Sequence, residues 1–297
     1  MGTDRILPAI ALRLLSVFFL ATMGALIKVA EVRGANVAEA LFFRQTGAAV
    51  TVAFVIAAGP GLGSVRTLRM GAHVRRAAVG LTSMACMFSA LMILPLAEAT
   101  TLQFTVPVFA TILGALLLRE PTGVHRWAAV IAGFAGVLIV AQPGAGHFPF
   151  WGAVLGLVAA ALSAAVSILL RQIGRIEGAM TTVFWFSTLS VPVLAIPYAV
   201  MAQAHDAVTW AVLVAIGVIG GAGQVAMTAA LRLGPVSVVV PMDYSSLIWA
   251  TLYGWLLFGV LPAPATWIGA PVIIASGLYI VWREHFRGRG ETRQAVT

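Results

Sequence analysis

The chain has 297 residues, 61% of them hydrophobic and only 9% charged. Soluble domains carry roughly 45–50% apolar and about 25% charged residues, so this is an all-α integral membrane protein and not a soluble enzyme. The net charge of +8 sits in short loops and tails, where membrane topology explains it without a nucleic-acid partner. The single cysteine, Cys86, rules out an internal disulfide. His73, His125, His147, His205 and His285 all read as loop or tail residues. That placement argues against a metal, a cofactor or a catalytic histidine within the membrane.

Ten apolar segments follow in order, at about 14–30, 37–57, 76–95, 99–118, 127–142, 151–170, 179–201, 208–231, 236–258 and 266–282. About 20 residues at 1.5 Å each span the hydrocarbon. The first run is followed by Lys28 and Glu31 rather than a small-residue cleavage site, so it reads as a retained helix. The longest loop, Gly59 to Arg75, carries Gly-Pro-Gly and several arginines. With both termini inside, Arg5, Arg13, Arg66, Arg69, Arg75, Arg76, Arg119, Arg126, Arg171, Arg175, Arg232, Arg283, Arg287, Arg289 and Arg293 are inside. Only Lys28 and Arg33 are outside, and Arg44 falls within the second span. The bias toward the inside predicts a multi-pass protein of a bacterial inner membrane with both termini cytoplasmic.

The two halves repeat. At an offset of 140, Ala90-Leu91 matches Ala230-Leu231, Pro95 matches Pro235, Ala110-Thr111 matches Ala250-Thr251, Gly114 matches Gly254 and Trp127 matches Trp267. The same offset pairs Gln103-Phe104-Thr105 with Asp243-Tyr244-Ser245, each polar, then aromatic, then hydroxyl. At an offset of 143, Phe42-Phe43-Arg44 matches Trp185-Phe186-Ser187. Five spans per half is an odd number, so the second half enters the membrane inverted. The predicted units are residues 1–145, residues 146–285 and a basic cytoplasmic tail, 286–297. Two inverted five-helix repeats around a central cavity are a transporter arrangement, with sites at the repeat interface.

The stretch Leu116-Leu117-Leu118-Arg119-Glu120-Pro121, then Trp127 and Gly133, with Arg44 near the start of the second span, resembles the EamA branch of the drug/metabolite transporter superfamily. The resemblance implies a basket of helices around a central cavity, working by alternating access. Gly259-Val260 departs from it, standing where the family often has Gly-Glu.

A charge in hydrocarbon costs at least about 2.5–3.5 kcal/mol, so Asp243 should face protein or a water-filled cavity. Pro241 and Pro107 lack an N–H and free the carbonyls of Ser237 and Gln103. At 1.5 Å per residue, Gln103 lies about 10 Å from the outer edge and Asp243 about 10 Å from the inner edge, bracketing the midplane. The candidate substrate-binding residues are Gln103, Phe104, Thr105, Asp243, Tyr244, Ser245, Trp185, Gln224 and Arg44. Arg44 anchors a substrate carboxylate or pairs with Glu39 or Glu98, and its depth places it near Glu98 and Gln103. Gln224 lines the cavity or bonds a neighbouring helix. Phe42, Phe43, Met84, Met87, Phe186, Met227, Met242, Trp249 and Tyr253 are candidates for a forgiving pocket wall. Small residues such as Ala110, Gly114, Ala250 and Gly254 read as helix packing. No cation falls beside Asp243 at its own depth, so desolvation should keep the carboxyl neutral part of the time; it then either couples a proton to transport or stays protonated and only holds helices together.

No phosphate-binding loop is present, so ATP hydrolysis on this chain is not indicated. One membrane aspartate and no membrane histidine argue against an intramembrane protease, and two inverted halves suit a carrier better than a channel. The expected function is secondary transport of a small organic metabolite by a monomer or homodimer. An acid, an arginine, amides and aromatics fit a zwitterion, which within the family points to export of aromatic and other neutral amino acids. Phe42-Phe43-Arg44 resembles branches assigned to uptake of riboflavin or S-adenosylmethionine.

Overall fold

The computed structural model describes residues 6–59, 61–117, 123–142, 149–174, 176–234 and 239–294. Leu118, Arg119, Glu120, Pro121 and Ser237 lie outside the described residues, as do the side chains of the tail. Eleven helices are labelled in chain order: α1 (Ile6–Val32), α2 (Val37–Ala58), α3 (Met70–Ile93), α4 (Leu96–Gln103), α5 (Val106–Leu117), α6 (Val124–Ala141), α7 (Phe150–Ile173), α8 (Ala179–Met201), α9 (Ala207–Leu233), α10 (Ser246–Phe258) and α11 (Pro264–Gln294). Tight 3-10 turns at Leu62–Val65 and Val240–Ser245 complete the set.

Among the described residues, nine helices or helix pairs are long and apolar enough to cross a membrane, α4 and α5 together forming one. The turn Val240–Ser245 running into α10 supplies the tenth span. Polar contacts between loops show that the spans alternate in direction. His205, ahead of α9, meets Glu39 at the start of α2, and Arg33 at the end of α1 meets Asp206. On the other side, where α1 begins, His73 at the start of α3 meets Glu177 ahead of α8. The side holding the start of α1 is called the N-side below and the other the far side.

The helices start where the chain supplies caps. Asn36 and Glu39 form a reciprocal capping box on α2, and Asp206 accepts from Thr209 N at 3.1 Å to open α9. Gly259, at φ +65°, takes the left-handed conformation that ends α10.

The packing obeys the inverted repeat. α1 lies along α9, and its counterpart α7 lies along α3; α2 pairs with its own counterpart α8, and α6 with α11. Lipid tails are as apolar as leucine, so these contacts rest on close fit between small residues. At the α2–α9 crossing, a Cβ on Gly47 would lie 2.3 Å from the Gly217 carbonyl carbon, closer than any side chain can approach. Gly136 does the same for α6 against α11, where a Cβ would meet Ile273 at 2.7 Å, and at Gly133 a Cβ would meet Val108 of α5 at 2.7 Å and Ser276 of α11 at 2.9 Å. Outward-facing Phe54, Ile131, Leu138, Val200, Ile248 and Ile268 are exposed and form the lipid-facing belt.

Several boundaries differ from the sequence reading for one reason. Hydropathy finds the hydrocarbon-length stretch, while a helix runs on as long as its backbone bonds continue. α1 starts at Ile6 and not at 14, and α3 starts at Met70 and not at 76. Arg13 and His73 therefore sit inside helices rather than in loops, and Arg76 lies about two turns into α3 rather than at its start. His73 is fully buried.

Candidate functional site

The fourth and ninth spans are both broken, and at corresponding residues. The fourth gives way to a turn at Phe104–Thr105, between α4 and α5. Pro107 cannot donate to the Gln103 carbonyl, which removes one helical bond at that point. The ninth tightens into the 3-10 turn Val240–Ser245 with Pro241 at its start, where a missing N–H costs little. The repeated hydroxyls close both breaks. Thr105 Oγ1 donates to Leu102 O at 2.6 Å, and Ser245 Oγ donates to Met242 O at 2.6 Å. The repeated aromatics meet edge to face, Phe104 against Tyr244 with ring centres 4.9 Å apart. Tyr244 fills the space left by Gly277, where a Cβ would lie 2.3 Å from its Oη.

A cavity of about 530 Å³ opens between these breaks. Gln103, Phe104 and Asp243 line it, together with Arg13, Thr100 and Ser163. Its apolar wall includes Met23, Met87, Met227, Phe88 and Leu91. Residues from both repeats contribute, so the cavity lies at their interface.

Asp243 does not stand alone in it. Arg13 Nε donates to Asp243 Oδ1 at 2.5 Å and Arg13 Nη2 to Oδ2, a two-pronged ion pair. The expectation that no cation stands beside Asp243 is therefore overturned. With α1 starting at Ile6, Arg13 is about 10 Å into its helix, level with the acid. The Arg13 side chain is 9% exposed and that of Asp243 is 36% exposed, so the carboxylate is the member that faces the void. Gln103 is tethered on the other side, its Nε2 donating to Gly156 O at 3.3 Å.

The remaining candidates sit elsewhere. Arg44 donates to Gln45 Oε1 and, at 3.3 Å, to Gln224 Oε1. The expected partnership with Glu39 or Glu98 fails, as does the expected nearness to Glu98 and Gln103. Glu39 is taken by the backbone of Asn36, the backbone of Gln203 and His205 Nε2 at 2.8 Å. Glu98 accepts from Ala263 N at 3.0 Å and from Thr266. Trp185 Nε1 donates to Val65 O at 2.8 Å, pinning the N-side turn. Trp249 and Tyr253 stack against each other beside α1, where Tyr253 Oη meets Thr22 Oγ1 at 2.7 Å. Arg13, Thr100 and Ser163 were not singled out from the sequence. Arg13 is the one that pattern reading could have found, as a lone cation about two helical turns into an apolar run.

Residues 7–142 and residues 150–282 each match the EamA-like transporter family. The chain belongs to that family. Through it the transporter is a member of the drug/metabolite transporter superfamily. It is 31% identical to a riboflavin transporter of Vibrio cholerae serotype O1 over 77% of each chain. It is 27% identical to a pseudopaline exporter of Pseudomonas aeruginosa over 93% of this chain and 96% of that one. It is 26% identical to an S-adenosylmethionine uptake transporter of Rickettsia bellii, over 83% and 84%. A solved crystal structure superposes with a TM-score of 0.62 at 20% identity, covering 94% of this chain and 96% of that chain. That likeness shows the fold.

Proposed function

We propose that the transporter carries a ring-bearing metabolite of riboflavin's class through the central cavity by alternating access. The observation that carries this reading is the cavity itself: about 530 Å³, bounded by Gln103 and by Asp243 with Arg13, and walled by methionines and Phe88 and Phe104. Small-molecule pockets of roughly 300–1,000 Å³ combine an apolar wall with a few placed polar groups. Flat faces of Phe104 and mobile methionine side chains suit a ring, while the Gln103 amide and Asp243 carboxylate suit its polar edge. The riboflavin and S-adenosylmethionine carriers among the relatives support a substrate of this size.

A second reading is favoured by the Arg13–Asp243 pair. A zwitterion offers a carboxylate to the arginine and an ammonium to the acid, which is the requirement for a neutral amino acid. In both readings residues 1–145 and 146–285 rock against each other in a bacterial inner membrane, with both termini cytoplasmic. A carboxylate at membrane depth is also where proton coupling would reside.

Purified protein in sealed proteoliposomes, loaded with unlabelled solute, distinguishes the two by counterflow. Uptake of labelled riboflavin without uptake of labelled phenylalanine or tryptophan supports the first. The reverse supports the second, and uptake of neither overturns both.

A further inference from the structure

A second polar cluster, whose residues do not line the cavity, is enclosed by α2, α3, α8 and α9. Its cations are Arg44 on α2 and Arg76 on α3, only 7% and 8% exposed. Arg76 does not turn back toward the nearby N-side edge. Its Nη1 lies 3.5 Å from the Cβ position of Gly80, one turn deeper, and its Cζ stands 3.6 Å from the centre of the Phe186 ring. Gly80 leaves the room for this. Arg44 reaches along α9 past Gly220 to Gln224. The helices that carry them pack together, α2 against α3, α8 and α9, and α3 against α8.

No carboxylate answers them among the described residues. Glu31 is paired with Lys28, Glu39 with His205, Glu177 with His73, Asp206 with Arg33 and Asp243 with Arg13. Glu98 serves Ala263 and Thr266. Donors remain open at Arg44 Nε, Arg76 Nε, Arg76 Nη1 and Gln45 Nε2, all buried and without a hydrogen-bond partner. A buried ion stripped of its partner costs several kcal/mol, and two of like sign cost more. Structures keep such an arrangement where a counter-ion enters.

We infer that Arg44, Arg76 and Gln45 form a buried anion site that takes a small oxyanion, a carboxylate or phosphate group. Guanidinium forks match paired oxygens, and the Gln45 amide adds a neutral donor. Arg44, Gln45 and Arg76 are not among the residues that line the central cavity, and the site goes beyond the transport reading, since its test reads binding alone.

The test is thermal unfolding of the full chain in detergent with inorganic phosphate, and separately acetate, replacing chloride at constant ionic strength. A saturable rise of several degrees in the unfolding midpoint is expected with at least one of them. That rise disappears in Arg44→Gln and Arg76→Gln, weakens at least tenfold in concentration dependence in Arg76→Lys, and persists in Asp243→Asn. Lysine keeps the charge and loses the fork, so this variant holds the assignment even where the glutamine variants fail to fold. A midpoint that does not saturate, or a rise that survives in the arginine variants, overturns the site. Stabilisation by phosphatidylglycerol micelles with none from phosphate or acetate overturns it too, and assigns the effect to lipid.

Discussion

Two arginine sites in one bundle receive opposite treatment. Arg13 is held by Asp243 through two prongs, and the pair together carries no net charge at the edge of the cavity. Arg44 and Arg76 are buried as deeply, with amide partners and a ring but no acid. The difference shows how membrane charge can be divided. A cation with its own carboxylate is complete, so the cavity beside it suits neutral or zwitterionic cargo. A cation without one leaves buried donors open, as at Arg44 Nε and Arg76 Nε.

Breaking the complete pair has the largest expected effect. Asp243→Asn leaves Arg13 buried against an amide. The acid is part-exposed, so the cost falls between the surface and buried cases, about 1–3 kcal/mol. Chemical unfolding in detergent measures it, and transport should fall at least tenfold. The double variant Arg13→Gln with Asp243→Asn should recover most of the stability and little of the transport. Full additivity of the two single effects would mean the pair is not energetically coupled.

The same operation on the other site should have the opposite sign. In anion-free buffer Arg76→Gln removes a buried charge that no acid answers among the described residues. The several kcal/mol of desolvation it relieves outweigh the lost contact with Phe186, worth about 1–2 kcal/mol. A gain in stability is expected by the same unfolding assay. A loss as large as that of Asp243→Asn would erase the contrast.

An acid outside the spans sharpens it further. Burial works against the charged form of Glu177, but hydrogen bonds from Thr67 and His73 and the charges of His73 and Arg69 outweigh that and hold its carboxyl below the usual range. A carboxyl held low contributes stability above its unfolded value of about 4.3, which is lost as pH falls through the lower folded value. The share of this contact between the α3 start and the turn before α8 that Glu177 supplies should therefore weaken below about 4. Melting curves across pH should show the fall in the wild type and a shallower one in Glu177→Gln.

Smallest of all should be Thr105→Ala and Ser245→Ala. Each hydroxyl serves its own backbone at a helix break, so each loss costs about 0.5–1 kcal/mol. Transport should stay within twofold of wild type.

These sites also mark how far the sequence could be read. The two prolines mark carbonyls that lose a helical donor, because a proline acts locally, but hydropathy carries each span through as one helix and does not reveal the turn at Phe104–Thr105. The expectation that Gln103 and Asp243 face one cavity comes from the repeated triplet, and the depth count at 1.5 Å per residue only sets them on either side of the midplane. Arg13 escaped because the first span was started one residue after it, and Arg76 because it was placed at the start of the third. Both errors come from equating the apolar stretch with the helix. The direction of a long side chain was also out of reach. Arg76 turns into the bundle because Gly80 and Phe186, the latter from the other repeat, shape the space there. Such tertiary facts have no periodicity in the chain.

The most direct test of the cavity uses a cysteine placed in its wall. Gln103→Cys in a Cys86→Ser background, reconstituted in vesicles, is labelled with a membrane-permeant maleimide in the presence and absence of a solute that the same vesicles carry. A transport site between the two broken helices predicts that saturating solute slows labelling at least fivefold, with no such protection for a cysteine at lipid-facing Ile131. Unchanged labelling of Gln103→Cys by a solute under active transport would contradict the assignment of the cavity as the path.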